Sequence, residues 1–329
     1  MILDTWSDIH CYMDPKFEEG LKKTTYSSSA LSSKVGCYIL DSGGKRLRPR
    51  LVILIADALG IPTRNIMPLA YTVELLHNAS LLHDDIVDGT TIRRSRPTAN
   101  QVFGDKPALL SGDYMVASAL ELMLTLGNIK LALNLIKTTK KMATGELKEL
   151  EYSKIFHSNM DAYLDIIYMK TASLFEFCSS APGTLANLPQ FKLNALAAYG
   201  RYMGMAFQIV DDIINLYPNE EDNKDAFNDI AEGKTTLPLI YIFEEYPEVA
   251  ARLNLISDTE ERQNLIVPYL SRDILDKSRL EANSYCEKAI AAIKDLDMLT
   301  EELHNIPSII MSPLEERLPN TRIDRAVAT

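Results

Sequence analysis

The sequence predicts an all-α protein, and three observations carry that prediction. Glycine is scarce at 14 of 329 residues, about 4% where about 7% is usual, so tight turns should be few. Long stretches repeat apolar residues at intervals of three and four, the period of a helix with one buried face. The alternating apolar and polar runs of half-buried strands are absent, and neither low-complexity segments nor internal repeats stand out.

The elements follow in chain order. Residues 67–88 place Leu69, Val73, Leu76 and Ala79 in one stripe with Leu75, Leu82 and Ile86 beside it, an apolar arc wide enough to bury the helix. The same period predicts helices at 110–128, 129–152 and 159–181. Segment 193–216 is equally apolar, and Gly200 and Gly204, one turn apart, leave room for a neighbouring helix. Helices at 235–246 and 275–303 complete the set. Between two of them, Pro218 to Thr236 reads PNEEDNKDAFNDIAEGKTT, a long polar loop of the kind that carries function. Residues 1–20 read as an N-terminal extension and 313–329 as a loosely packed tail or terminal lid. No linker separates two cores, so 1–329 is expected to be a single helical domain.

Charge and composition exclude several function classes. Asp and Glu number 45 against 34 Lys and Arg, a formal net charge of −11, without the basic footprint that nucleic-acid binding needs. The apolar run from Leu51 to Ala56 is cut by Asp57, far short of the roughly 18 residues of a membrane span. The opening residues, MILDTWSDIH, lack the basic-then-apolar order of a secretory signal. Cys11, Cys37, Cys178 and Cys286 are scattered with no CxxC, which supports neither a zinc site nor a disulfide framework. A reducing, cytoplasmic setting is expected.

Acids at the wrong ends of helices are the first chemical signal. The run LLHDDIVDG puts Asp84, Asp85 and Asp88 in the last turn of an apolar helix, before a stop at Gly89. The helix dipole disfavours each anion there by roughly 0.3–1 kcal/mol, and Asp84 and Asp88, four apart, repel further. A divalent cation would compensate, and a cluster of hard oxygens with open positions suits Mg²⁺ holding a phosphorylated substrate. Alone, such a run is ordinarily a solvated helix end. It recurs, however, as FQIVDDIIN at 207–215, where Asp211 and Asp212 stand late in a second apolar helix. Two such conflicts, facing each other across a cavity, could hold several Mg²⁺ ions around one diphosphate.

Basic clusters bracket the first motif. Upstream, SGGKRLRPR sets Gly43 and Gly44 ahead of Lys45, Arg46 and Arg48, and downstream TIRRSRPT supplies Arg93, Arg94 and Arg96. A glycine pair beside cations can cradle phosphate, although a lone GGK is more often a turn. His77 lies two turns before Asp84 on nearly the same face, while His83 is expected beside the carboxylates. Lys170 and Thr171 lie mid-helix in apolar YMKTASLF, where a lysine costs energy unless an anion meets it. Gln208 could join the Asp211 site or satisfy a buried polar partner.

These residues together resemble the trans-isoprenyl diphosphate synthases, the polyprenyl synthetases. The resemblance runs through GGKRLRP at 43–49, HNASLLHDDIVD at 77–88, RRSRP at 93–97, SGDYM at 111–115, KTASLF at 170–175, FQIVDD at 207–212 and GKTTLPLIY at 233–241. It implies the all-α isoprenoid synthase fold, with antiparallel helices around a deep central cavity, the two aspartate motifs facing each other at its mouth, and a homodimer. It also implies head-to-tail condensation of isopentenyl diphosphate with an allylic diphosphate. Several Mg²⁺ ions on Asp84, Asp88 and Asp211 would draw diphosphate from the allylic carbon, the isopentenyl double bond would attack, and the released diphosphate would take the proton. By the family pattern, Lys45, Arg48, His77 and Arg94 hold isopentenyl diphosphate, and Arg93, Lys170, Lys224 and Lys234 hold the allylic diphosphate. Asp85 belongs to the catalytic motif, and Thr171 and Gln208 steady the carbocation and metal site.

Two positions depart from that pattern. Asn215 stands where the second motif normally ends in Asp, which is expected to tune the site and not abolish it. Phe227 replaces the usual glycine before Asp229, which unsettles the assignment of Lys224. Ala79 and Ser80 lie five and four residues before Asp84, about 6–8 Å deeper at 1.5 Å per residue. Their small size predicts a product longer than farnesyl, geranylgeranyl or longer, with Leu75, Leu76, Met115 or Leu122 as deeper stops. A class I terpene cyclase would share DDxxD, but its second metal motif does not fit Asp212, Asn215 and Asn219. A non-catalytic subunit of a heteromeric synthase typically lacks the first aspartate motif, which is intact here.

Overall fold

A computed structural model describes residues 15–153, 155–218, 227–296 and 301–317. In chain order the helices are α1 (Pro15–Lys23), α2 (Ala30–Asp41), α3 (Leu47–Ala58), α4 (Thr63–Val87), α5 (Ala99–Phe103), α6 (Asp105–Thr125), α7 (Ile129–Tyr152), α8 (Met160–Ile167), α9 (Ser173–Leu185), α10 (Gln190–Leu216), α11 (Asn228–Glu232), α12 (Leu237–Glu245), α13 (Pro247–Leu253), α14 (Thr259–Ile266), α15 (Arg272–Ile293) and α16 (Glu301–Arg317). A π-helical turn, Tyr168–Ala172, joins α8 to α9, and a 3₁₀ turn, Val267–Tyr269, follows α14. The all-α expectation holds, and no described helix is long and apolar enough to cross a membrane.

One small sheet departs from it. Strands β1 (Ile92–Arg93) and β2 (Arg96–Pro97) pair antiparallel. Their two-residue turn sets both Arg94 (φ +51°) and Ser95 (φ +60°) in the left-handed region. That is the turn a twisted hairpin prefers, usually built from Asn and Gly.

Two compact units are distinguished among the described residues. One draws on Met1–Thr139, Phe177–Ala197 and Leu296–Asn305, the other on Lys140–Glu176, Ala198–Asp295 and Ile306–Thr329. In the first, α4 is the central helix. Its Leu69, Val73, Leu75, Ala79 and Leu82 are wholly buried, each large side chain contributing roughly 1.5–3 kcal/mol, and α6 and α3 pack along it. In the second, Met205, Ile209, Val210 and Ile213 of α10 are buried, as are Leu239, Ile240, Ile242 and Phe243 of α12.

Within the expected extension and tail, the described residues 15–20 and 313–317 are helical. Helix α1 buries Phe17 and Leu21, and α16 continues through Pro307 and Pro313 to Arg317, with Leu314 buried. The polar stretch after Pro218 contains α11 and is otherwise described from Phe227 onward.

Candidate functional site

In the first unit, the aspartate motif sits where the sequence places it, at the end of α4. The helix closes at Val87. Asp88 caps it, donating its N–H to the Asp84 carbonyl at 2.8 Å, while Gly89 N–H reaches the Ile86 carbonyl at 3.3 Å and Thr90 N–H the Asp85 carbonyl at 2.9 Å. These bonds satisfy the orphan carbonyls of the last turn, as in a Schellman ending. The three carboxylates have different surroundings. Asp84 and Asp88 are half-buried, whereas Asp85 is 1% exposed and accepts from Arg93 Nε at 2.7 Å. Burial raises the Asp85 pKa against the opposing charge of Arg93. The Arg93 side chain assigned to a substrate phosphate is therefore held by the middle aspartate, and His83 turns to the Leu109 carbonyl (3.2 Å) and Asp113 (3.5 Å).

The upstream basic cluster is anchored by a buried ion-pair network. Arg46 is 6% exposed and Glu74 2% exposed. Arg46 Nη1 donates to Glu74 Oε1 at 2.7 Å, its Nε to Glu18 Oε1 at 2.9 Å and its Nη2 to the Leu40 carbonyl at 2.8 Å. Asn78 Nδ2 donates to the same Glu74 oxygen at 2.9 Å. The network fixes Arg46 in a left-handed backbone conformation (φ +47°), and α3 starts immediately after it. Arg46 is thus the structural member of the cluster, leaving Lys45 exposed and Arg48 half-buried beside it. Arg94 donates to the Gly43 carbonyl. Gly44 sits at φ +138°, a backbone conformation that favours glycine, and a Cβ there would have to displace the Arg94 guanidinium 2.8 Å away. His77 is half-buried. Burial and the charges of Arg48, Arg94, Arg93 and Arg46 push its pKa well below the usual histidine value, so the imidazole is neutral at physiological pH and serves as a hydrogen-bonding group among cations.

In the second unit, Lys170 and Thr171 lie on the π turn, a local widening that often marks a functional site. Lys170 Nζ meets the anion its setting requires, with Glu146 Oε2 and Glu149 Oε2 each at 2.6 Å. Lys234 Nζ lies 3.2 Å from Glu149 Oε2 and 2.7 Å from Glu232 Oε2. Thr171 Oγ1 donates to Gln208 Oε1 at 2.7 Å, and Gln208 Nε2 donates to Asp212 Oδ1 at 2.9 Å. Gln208 therefore links Thr171 to the acidic pair, and Tyr163 Oη completes the row by donating to Asp212 Oδ2 at 2.6 Å. Burial pushes the Asp212 carboxyl up to about 7 against those two donors. Asp211, its neighbour, is exposed. Burial and the Asp212 charge likewise raise Asp229 well above the usual range.

The two departures have physical readings. Phe227 occupies φ +62°, ψ +15°, the conformation a glycine would adopt without strain. Asn215 accepts Phe227 N–H with its backbone carbonyl at 3.0 Å and Asp229 N–H with Oδ1 at 3.4 Å, so it anchors the start of α11. Lys224 lies outside the described residues. Ala79 is wholly buried, and half-buried Ser80 donates to the His77 carbonyl at 2.8 Å. Of the deeper stops, Leu75, Leu76 and Met115 are buried and Leu122 is half-buried.

Sequence reasoning passed over Glu74, Glu146, Glu149 and Tyr163. The spacing Gly145-Glu146-x-x-Glu149 was the available signal. A Cβ on Gly145 would lie 2.5 Å from Lys170 N and 2.9 Å from Lys170 Cα, so the absent side chain lets α7 press its carboxylates onto the π turn. Gly145→Ala is expected to destabilise the protein by about 1–3 kcal/mol, the usual cost of overpacking. It should also raise KM for an allylic diphosphate, and thermal melting with steady-state kinetics checks both effects.

The profile of the family described as Polyprenyl synthetase matches residues 29–273. Octaprenyl diphosphate synthase of Escherichia coli is 34% identical over 276 residues, covering 82% of this chain and 85% of its own. The geranyl-diphosphate-specific all-trans-nonaprenyl-diphosphate synthase of Rhodobacter capsulatus is 33% identical over 291 residues, covering 86% and 88%. Among solved structures, the polyprenyl synthase of Caulobacter crescentus, complexed with calcium and isoprenyl diphosphate, is similar with a TM-score of 0.81 and 30% identity. That likeness covers 90% of this chain and 93% of the other.

Proposed function

Because the chain belongs to the polyprenyl synthetase family, it is a trans-prenyltransferase that elongates prenyl diphosphates, and we propose that it does so with the residues described above. It condenses isopentenyl diphosphate head-to-tail with an allylic diphosphate. The carrying observation is the pair of acidic helix ends, Asp84 on α4 with Asp88 capping it and Asp211 on α10, in a chain that also sets Arg46, Arg48, Arg93 and Arg94 around His77.

The donor set fits a hard divalent ion. Asp84 and Asp88 offer carboxylate oxygens one turn apart, and Asp211 offers another from an exposed position. Asp84, Asp88 and Asp211 would hold several Mg²⁺ ions. Bound Mg²⁺ supplies Lewis-acid neutralisation of the charge that develops on the departing diphosphate. Asp85 keeps Arg93 in place, Lys170 and Lys234 offer ammonium donors to the allylic diphosphate, and Lys224 is assigned to the same group. Lys45, Arg48, His77 and Arg94 bind isopentenyl diphosphate, for which a neutral imidazole is a donor that does not repel the surrounding guanidinium groups. Thr171 and Gln208, hydrogen-bonded to each other and through Gln208 to Asp212, steady the developing allylic cation and the metal site.

The whole chain acts as one polyprenyl synthetase domain, in the cytoplasm and as a homodimer. A terpene cyclase would consume an allylic diphosphate alone and give a cyclised hydrocarbon. This chain is expected to give no product until isopentenyl diphosphate is added, and none after chelation of the metal. Hydrocarbon formed without isopentenyl diphosphate would refute the reading.

The product is an all-trans polyprenyl diphosphate longer than farnesyl, geranylgeranyl or longer, because Ala79 and Ser80 carry no bulky side chain to stop the growing chain. Ala79→Phe is expected to shorten the main product by at least one isoprene unit, as read by mass spectrometry of the dephosphorylated alcohols. An unchanged product length would remove these two residues from the length determinants.

A further inference from the structure

Helix α7 carries Glu146 and Glu149 nearly one turn apart, facing the π turn. Glu149 Oε2 lies within ion-pair distance of two lysines from different parts of the second unit, Lys170 on the π turn and Lys234 just after α11. The two ammonium groups are thereby brought to one oxygen. Burial alone would raise the Glu149 pKa, and Lys170 and Lys234 outweigh it and hold the carboxyl below its ordinary value, so the bridge is ionised. With Glu146 on Lys170 and Glu232 on Lys234, three carboxylates meet two ammonium groups. An incoming diphosphate therefore approaches lysines whose charge is already partly cancelled.

We infer that Glu149 is a positioning residue that gathers Lys170 and Lys234 at one point and limits how tightly that point holds a diphosphate. The inference rests on the assignment of both lysines to the allylic diphosphate. It gives the bridge two separable effects. Its shape sets the spacing of the two donors, and its charge sets their pull on an anion. An enzyme that repeats condensations must release inorganic pyrophosphate in every cycle, and a site of two unopposed lysines would release it slowly.

The test compares Glu149→Gln, which keeps an acceptor oxygen but removes the charge, with Glu149→Ala, which removes both. Binding of inorganic pyrophosphate to the full chain is measured by calorimetry in metal-free buffer, so that the lysines are read without Mg²⁺. Glu149→Gln is expected to bind about ten-fold tighter than the unsubstituted protein, the effect of removing one charge a few ångströms from an anion in a partly screened site. In steady state it should lower KM for the allylic substrate together with kcat, the split expected when product release slows. Glu149→Ala should raise that KM, because the lysines lose their common anchor. Thermal melting checks that both variants are folded. Pyrophosphate binding that is unchanged or weaker in folded Glu149→Gln would overturn the inference while leaving the enzymatic assignment intact. Absence of pyrophosphate binding to the unsubstituted chain would instead overturn the assignment of the lysines, and the inference with it.

Discussion

Asp84→Ala is expected to lower the condensation rate by on the order of 10³-fold, several kcal/mol of lost transition-state stabilisation when a metal ligand is removed. The variant should remain folded in metal-free buffer, as read by thermal melting. Added Mg²⁺ should raise the melting temperature of the unsubstituted chain more than that of the variant, because a ligand that binds the native state stabilises it in proportion to its affinity. Loss of activity together with this weaker response to Mg²⁺ separates a metal ligand from a structural acid. A variant that keeps more than about a tenth of the rate would contradict the assignment of Asp84.

The second large effect is on stability. Glu74→Leu removes the buried partner of Arg46, which retains Glu18 and the Leu40 carbonyl. Breaking a buried pair from one side typically costs about 3–5 kcal/mol, since the remaining charge stays desolvated. At roughly 2–4 °C per kcal/mol for a chain somewhat smaller than this one, the melting temperature should fall by about 6–20 °C. Replacing both partners, as in Arg46→Met with Glu74→Leu, should recover much of that loss. The doubly substituted protein should still bind isopentenyl diphosphate less tightly, because the left-handed Arg46 that orients Lys45 and Arg48 is gone. A double-mutant cycle on melting, with KM for isopentenyl diphosphate alongside, reads both effects. A single Glu74→Leu variant within about 0.5 kcal/mol of the unsubstituted protein would show that the pair contributes little.

Where one physical signal dominated, the sequence was readable. Helix α4 announces itself by its apolar arc, and the acids at its end conflict visibly with the dipole, so its position and the candidate metal ligands were legible together. The same reasoning reached α10 and Lys170. Features set by tertiary contacts were not legible. The hairpin at Arg93 to Arg96 uses Arg and Ser at left-handed positions, residues that give no turn signal, because its geometry is held by Arg93 on Asp85 and Arg94 on the Gly43 carbonyl. The π turn has no sequence period of its own. Helix α16 runs through two prolines that read as breakers, and burial of Ile306, Ile309, Ile310 and Leu314 stabilises it. Glu149 sits in the run KELEY, which looks like a solvated helix face until Lys170 and Lys234 are seen on it.

The departures at Asn215 and Phe227 each have a local role in this chain. Asn215 Oδ1 receives Asp229 N–H, and Phe227 takes the left-handed conformation at a cost of roughly 1–2 kcal/mol relative to glycine. The net charge of −11 is no obstacle to diphosphate substrates, because binding follows the local field. That field is cationic at His77, where the charges of Arg48, Arg94, Arg93 and Arg46 all act.

The most direct measurement is the product spectrum of the purified chain. It is incubated with Mg²⁺, isopentenyl diphosphate and, in separate reactions, geranyl, farnesyl or geranylgeranyl diphosphate, and the products are identified by mass. A ladder of all-trans prenyl diphosphates growing by one isoprene unit at a time, extending beyond farnesyl, is the predicted result. No condensation with any of the three primers would contradict the account.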